Sequence, residues 1–242
     1  MRLTVIAILL GALLATGCSP ADSASPQAYV LALSWQPAFC ETAPRKRECR
    51  SQMPGRADAR QFSLHGLWPQ PGSRVYCGVD PSVIARDKSG RWRDIPMQRI
   101  ETEIWNRLRV AMPGTQSALE RHEWIKHGTC HADTPDRYFA DSLALLDAIN
   151  ASSMRKLFET RIGSNVTGAE IRRAFEKDFG PGAGKRLRIA CERDGNRQII
   201  GEITIGLKGA ITGNPDLGAL IAAASETDPG CPGGIVDPAG LQ

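Results

Sequence analysis

The chain has 242 residues, a formal charge of +4, and 42% hydrophobic residues. That balance excludes a disordered or fibrous protein, and the length suits one large domain with a substantial core. The small positive excess permits a polyanionic ligand without requiring one.

The first seventeen residues stand apart. Arg2 precedes an uncharged apolar run over residues 3–15, and Thr16 and Gly17 then lead into Cys18. This is the pattern of a secretory signal peptide, and the run is shorter than the roughly 20 residues that a membrane-spanning helix needs. Small residues before Cys18 also fit a bacterial lipoprotein signal, although Ala15 stands where such signals usually carry Leu. Lipidation of Cys18 and simple cleavage nearby are equal alternatives. Residues 18–28 read as a flexible tether, and residues 29–242 as the ordered domain. The expected location is the periplasm or the bacterial envelope rather than the outside medium. Setting Cys18 aside leaves six of the seven cysteines, an even number that points to three disulfides in an oxidising compartment. Spacing leaves their pairing open, and no C-x-x-C pair suggests a zinc knuckle.

Residues 29–35 have the composition of a strand. Residues 36–60, rich in Pro, Arg and polar types, read as a loop made basic by Arg45, Lys46, Arg47 and Arg50. A solvated face is the simpler account of such a run than a phosphate-binding one. Ile100, Ile104, Leu108 and Met112 recur every four residues beside Trp105, a helical stripe ended by Pro113 and Gly114. Phe139, Leu143, Leu146 and Ile149 line a second helix over residues 138–149, and Thr167 with Glu170 opens a third at 169–179 with capping-box spacing. Residues 187–192 and 198–207 read as strands joined by a turn at Asp194, Gly195 and Asn196. The tail from Gly209, rich in Gly and Pro, reads as irregular. Sequons at Asn150 and Asn165 are accidental in a bacterial export product. With no repeat and no linker, the expected fold is a single α+β domain: a central antiparallel β-sheet packed by several helices, with disulfide-stapled loops.

The four histidines are at 65, 122, 127 and 131. His65 lies in Phe62-Ser-Leu-His65-Gly-Leu-Trp68-Pro-Gln70. The others follow Leu119 in His122-Glu123-Trp124-Ile-Lys126-His127-Gly128-Thr-Cys130-His131. Ser117 with Glu120 has capping-box spacing and Gly128 suits a left-handed stop, which predicts a short helix over residues 118–127. At about 100° per residue, His122, Glu123, Lys126 and His127 share roughly 140° of one side while Trp124 and Ile125 face the core. Glu123 and His127, like His122 and Lys126, stand four residues apart and can nearly touch. Imidazoles move protons near neutral pH, and cationic donors stabilise the extra charge of a phosphorane-like transition state. The array therefore suits phosphoryl transfer without a metal. A lone charged residue on a helix is usually only solvated; four reactive residues in six positions point to a site. Zincin spacing is absent, because His122 and His127 stand five apart, and His127 replaces the first Cys of a haem-attachment motif. Neither a cofactor nor a metal is expected.

At these residues the chain resembles the ribonuclease T2 family, whose active-site segments have the forms F-x-x-HGLWP and HEW-x-KHGTC; both are present without a mismatch. The resemblance implies that His127 is the general base on a ribose 2'-OH and His65 the general acid on the departing 5'-oxygen. The product would be a 2',3'-cyclic phosphate, later hydrolysed to a 3'-phosphate, with a bell-shaped pH dependence. It also implies that Glu123 and Lys126 stabilise the pentacovalent phosphate, that His122 binds phosphate, and that Trp68 and Tyr76 line a base site. Core packing is an equal alternative for Trp68. Gln70, a substrate-binding candidate, stands where many members have an Asp, and Leu119 where many have an aromatic residue, so base preference does not follow. His131 matches no catalytic position and reads as a surface residue. The implied bridges are Cys40–Cys49, Cys77–Cys130 and Cys191–Cys231, the second holding His65 near His127. The expected partner is single-stranded RNA and not DNA, bound by a monomer whose membrane attachment, if any, is a lipid on Cys18. The alternatives are a non-catalytic RNA-binding or inhibitory protein on the same scaffold and a metal-dependent hydrolase. Retention of all five catalytic positions argues against the first.

Overall fold

A computed structural model describes residues 27–242 apart from Asn214. The proposed signal segment and Cys18 lie outside the described residues. β1 (Ala28–Ser34) leads into α1 (Gln36–Thr42) and the single turn of α2 (Arg47–Arg50). β2 (Ser63–Pro69) is followed by α3 (Pro81–Lys88), α4 (Thr102–Ala111), α5 (Leu119–Lys126), α6 (Pro135–Asn150) and α7 (Ser153–Thr160). The remainder carries β3 (Asn165–Thr167), α8 (Gly168–Phe179), β4 (Leu187–Asp194), β5 (Arg197–Lys208), α9 (Leu217–Ala223) and β6 (Gly233–Ile235).

The strands form one sheet in the order β2-β1-β5-β6-β3, with β4 also paired to β5. β5 is its axis. Along it Ile203, Ile205 and Leu207 are buried and alternate with Thr204, Gly206 and Lys208, the period of two that turns one strand face to the core. The pairings are antiparallel except that of β5 with β6, which is parallel at Ile199 and Ile235, so the expected antiparallel sheet contains one short parallel contact before the antiparallel β6–β3 pair at its edge. Trp35, Phe62 and Phe158 pack ring on ring beneath the sheet, at centroid distances of 4.7–5.7 Å. Burying such rings contributes roughly 2 kcal/mol each.

Of the first helical stripe, Ile104 and Leu108 fall on α4 while Ile100 precedes it and Met112 is its C-cap. The second stripe falls on α6, and the Thr167–Glu170 capping box forms in both directions at the start of α8. Two expectations need correction. Residues 36–60 are not a plain loop: Pro37 sits at the start of α1, where its missing N–H is harmless, and Ala38 and Cys40 anchor that helix on the core. The tail is not irregular either, since it holds α9 and β6. Glycine serves close approach there: a Cβ on Gly233 would stand 2.2 Å from the Val166 carbonyl oxygen. The structure joins Cys40 to Cys49, Cys77 to Cys130 and Cys191 to Cys231.

Candidate active site

β2 carries the first histidine. An ordinary strand alternates sides every residue, yet Leu64 and Leu67, three apart, are both buried, while His65 and Trp68 both reach partly exposed positions. A β-bulge reconciles these. Ala32 of β1 pairs with Gly66 and Leu33 with Leu64, which leaves His65 as the extra residue. The bulge is pinned by Tyr138 of α6, whose hydroxyl accepts from the Leu67 N–H at 3.2 Å and donates to the Leu67 carbonyl at 3.1 Å.

α5 supplies the other residues. Its start differs from the expected capping box: Ala118 is the cap, in a left-handed conformation, and the Ser117 hydroxyl donates to Glu48 instead, at 2.5 Å. Gly128 lies in a tight turn without a positive φ; a Cβ there would come within 2.4 Å of the Trp124 ring, so packing demands the glycine. Glu123 does not pair with His127. It reaches across to β2, where its Oε2 accepts from the Trp68 indole N–H at 2.9 Å. Its Oε1 lies 3.9 Å from Nε2 of both His65 and His122. This approach needs Gly66, because a Cβ at that position would stand 1.9 Å from Glu123 Oε2.

Each of these two histidines has a carboxylate behind it. His65 Nδ1 lies 2.6 Å from Glu202 of β5, and His122 Nδ1 lies 2.7 Å from the buried Asp87 of α3. Trp92 stacks on the His122 ring at 4.6 Å. Trp68 lies between two imidazoles, with centroids 5.2 Å from His65 and 5.5 Å from His127. Lys126 has no carboxylate partner among the described residues.

The electrostatics separate the histidines. Burial, then the positive charges of Lys126, His122 and His65, push His127 down to about 3. Burial also works against charge on His65, whose open edge leaves 34% of the side chain accessible. The Glu202 hydrogen bond and the Glu123 and Glu202 carboxylates outweigh it, so His65 stands above its ordinary value. Burial raises Glu123 despite the opposing pull of His65, His122, the Trp68 hydrogen bond and Lys126.

The structure thus brings His65, Trp68, His122, Glu123 and His127 together, with Lys126 adding its charge. Tyr76 takes a supporting place, its hydroxyl donating to Asp87 at 2.7 Å and its backbone N–H to the Lys126 carbonyl beside the Cys77–Cys130 bridge. Gln70 stays beyond the end of β2, where its amide donates back to the Trp68 carbonyl. His131 is a correction: its side chain is 3% exposed, not on the surface, and Nε2 lies 2.9 Å from the buried Asp141. A cavity of about 280 Å³ opens beside His65, lined also by Glu202, Gln36, Leu119 and Trp92.

Residues 26–217 match the ribonuclease T2 family. Ribonuclease I of Escherichia coli strain K12 is 33% identical over 201 residues, 74% of this chain and 74% of that protein. This chain belongs to the ribonuclease T2 family. It is accordingly an enzyme of the ribonuclease type, and solved structures share its fold. The self-incompatibility-associated SF11-RNase of Nicotiana alata superposes with a TM-score of 0.52 at 19% identity, over 85% of this chain and 92% of that one. RNase NT in complex with 5'-AMP gives 0.54 at 21% identity, over 89% and 100%.

Within this T2 member, Glu202, Asp87 and Trp92 are site residues that the two motifs did not disclose. Glu202 left a faint signal as the one carboxylate in the apolar run Ile199–Leu207 of β5. Asp87 and Trp92 left none, since they reach His122 from a separate stretch of chain.

Proposed function

We propose that this T2 member is a metal-independent endoribonuclease of single-stranded RNA. A ribose 2'-OH attacks the adjacent phosphate, a 2',3'-cyclic phosphate forms as the 5'-oxygen leaves, and slower hydrolysis gives a 3'-phosphate. The opposite tuning of two histidines flanking Trp68 carries this reading. His127, held down to about 3, stays neutral and accepts the 2'-OH proton. His65, held above its ordinary value with Glu202 behind it, keeps the proton that the 5'-oxygen needs. Glu123, raised by burial, and the cationic Lys126 face the charge that builds on the phosphoryl oxygens, and His122, fixed by Asp87, binds phosphate. DNA lacks the attacking hydroxyl and is not cut by this route.

Trp68 contributes a ring edge to the site while its N–H is committed to Glu123, and Tyr76 acts through Asp87 rather than by holding a base. The cavity at His65 takes the base on the leaving side, between Leu119 and Trp92. Three disulfides fit an exported protein of the periplasm or envelope. The test of the proton roles is a uridine 3'-phosphodiester with a p-nitrophenolate leaving group. His65→Ala regains most of its rate on this substrate, which needs no acid, whereas His127→Ala does not; equal rescue of both would overturn the assignment.

A further inference from the structure

The basic segment near Arg45 is a built groove. Six cations, Arg45, Lys46, Arg47, Arg50, Arg91 and Arg93, line an open cleft of about 560 Å³ in which Asp94 is the one carboxylate. The whole chain carries only +4, so this cleft accounts for its positive excess and the remaining surface is close to neutral. None of Arg45, Lys46, Arg47 or Arg50 has a carboxylate within ion-pair distance among the described residues, and all four are exposed.

Both walls are held in place. In α2, Glu48 and Cys49 turn inward, the first to the Ser117 hydroxyl and the second to Cys40, which leaves Arg47 and Arg50 facing outward. On the opposite wall the Arg121 guanidinium donates to the Arg93 and Ile95 carbonyls at 2.8 and 2.7 Å, and the Arg93 guanidinium donates to the Gln116 carbonyl. The cleft runs into the cavity at His65: Lys46, Trp92 and Ser117 line both, and Lys46 Nζ stands 5.5 Å over the Trp92 ring. Unpaired cations beside an aromatic ring are the composition of a single-strand channel.

We propose that this cleft is a phosphate track for the RNA strand on the 3' side of the scissile bond, selecting long polyribonucleotides over dinucleotides. The direction rests on the reading of His65 as general acid, because the nucleoside that departs with the 5'-oxygen, and everything 3' to it, leaves through the cavity that His65 lines.

The test is the variant Arg45→Ala/Arg47→Ala/Arg50→Ala, assayed on a dinucleoside monophosphate and on the same step extended by several nucleotides on either the 3' or the 5' side. The expected result is a loss of about tenfold in kcat/KM on the 3'-extended substrate only, with the dinucleotide cut as by wild type. Binding of an all-2'-deoxy oligonucleotide tests the track without chemistry: the slope of log affinity against log salt falls by about 2, from roughly 0.7 per cation removed on a single strand. An unchanged slope overturns the track, and an equal loss on the 5'-extended substrate overturns its direction. A variant that loses only its binding to anionic lipid vesicles shows a membrane-facing patch instead, which also overturns it. If wild type fails to cut RNA, the functional reading falls, while the deoxy-oligonucleotide still decides the track.

Discussion

Glu202→Gln separates proton supply at His65 from the rest of the site. The Glu202 carboxylate and His65 Nδ1 are 2.6 Å apart, the length of a charge-assisted hydrogen bond worth about 1.5–3 kcal/mol. Both side chains are partly open to solvent, 34% for His65 and 27% for Glu202, which places the effect at the low end, about 1.5 kcal/mol. At roughly 1.4 kcal/mol per factor of ten, the amide lowers the protonated fraction of His65 about tenfold wherever the ring is mostly neutral. The assay is kcat/KM on a short oligoribonucleotide across about pH 4–9. The expected outcome is a descending alkaline limb displaced to lower pH, about a tenfold loss on that side, and less than about a threefold change at acid pH. A uniform loss at every pH, with the limb in place, would refute the role given to Glu202.

Gly66→Ala forces a Cβ to 1.9 Å from Glu123 Oε2; activity falls about 100-fold and melting shows a loss of about 1–3 kcal/mol. Cys77→Ser/Cys130→Ser opens a bridge spanning 53 residues, and urea unfolding shows a loss of about 4 kcal/mol. His127 titrates from an unperturbed 6.5 down to about 3, so the unfolded chain takes up a proton that the folded chain refuses as pH falls through that window. Its stability contribution is complete above 6.5 and shrinks by about 3 kcal/mol between pH 7 and pH 4. His127→Leu flattens that slope in melting curves taken over the same range.

What the sequence made legible is what lies contiguous along it. His65 with Trp68, and His122 with Glu123, Lys126 and His127, sit within single short segments. The strands of β4 and β5 and the helices α4 and α6 are set by local periodicity, and α8 by its capping box. The partners that tune the site arrive from elsewhere in the chain: Glu202 from β5, Asp87 from α3, and Trp92 from the turn after it. The α5 start departs from the Ser117–Glu120 spacing because a left-handed Ala118 takes the cap position, while Ser117 closes the preceding turn and its hydroxyl donates to Glu48, 69 residues away. The burial of His131 has no local signal, because the Asp141 carboxylate and the Tyr29 hydroxyl that meet its ring come from α6 and β1. The bulge at His65 had a trace in the sequence, since Leu64 and Leu67 stand three apart in a strand that should alternate by two.

The most direct test of the central claim is incubation of the purified mature protein with a single-stranded RNA and its DNA counterpart in excess EDTA, with product ends identified by mass. RNA cut to 2',3'-cyclic phosphate ends with DNA intact is the predicted result. Failure to cut RNA until a divalent metal is restored, or cleavage of both strands alike, would contradict the two-histidine mechanism.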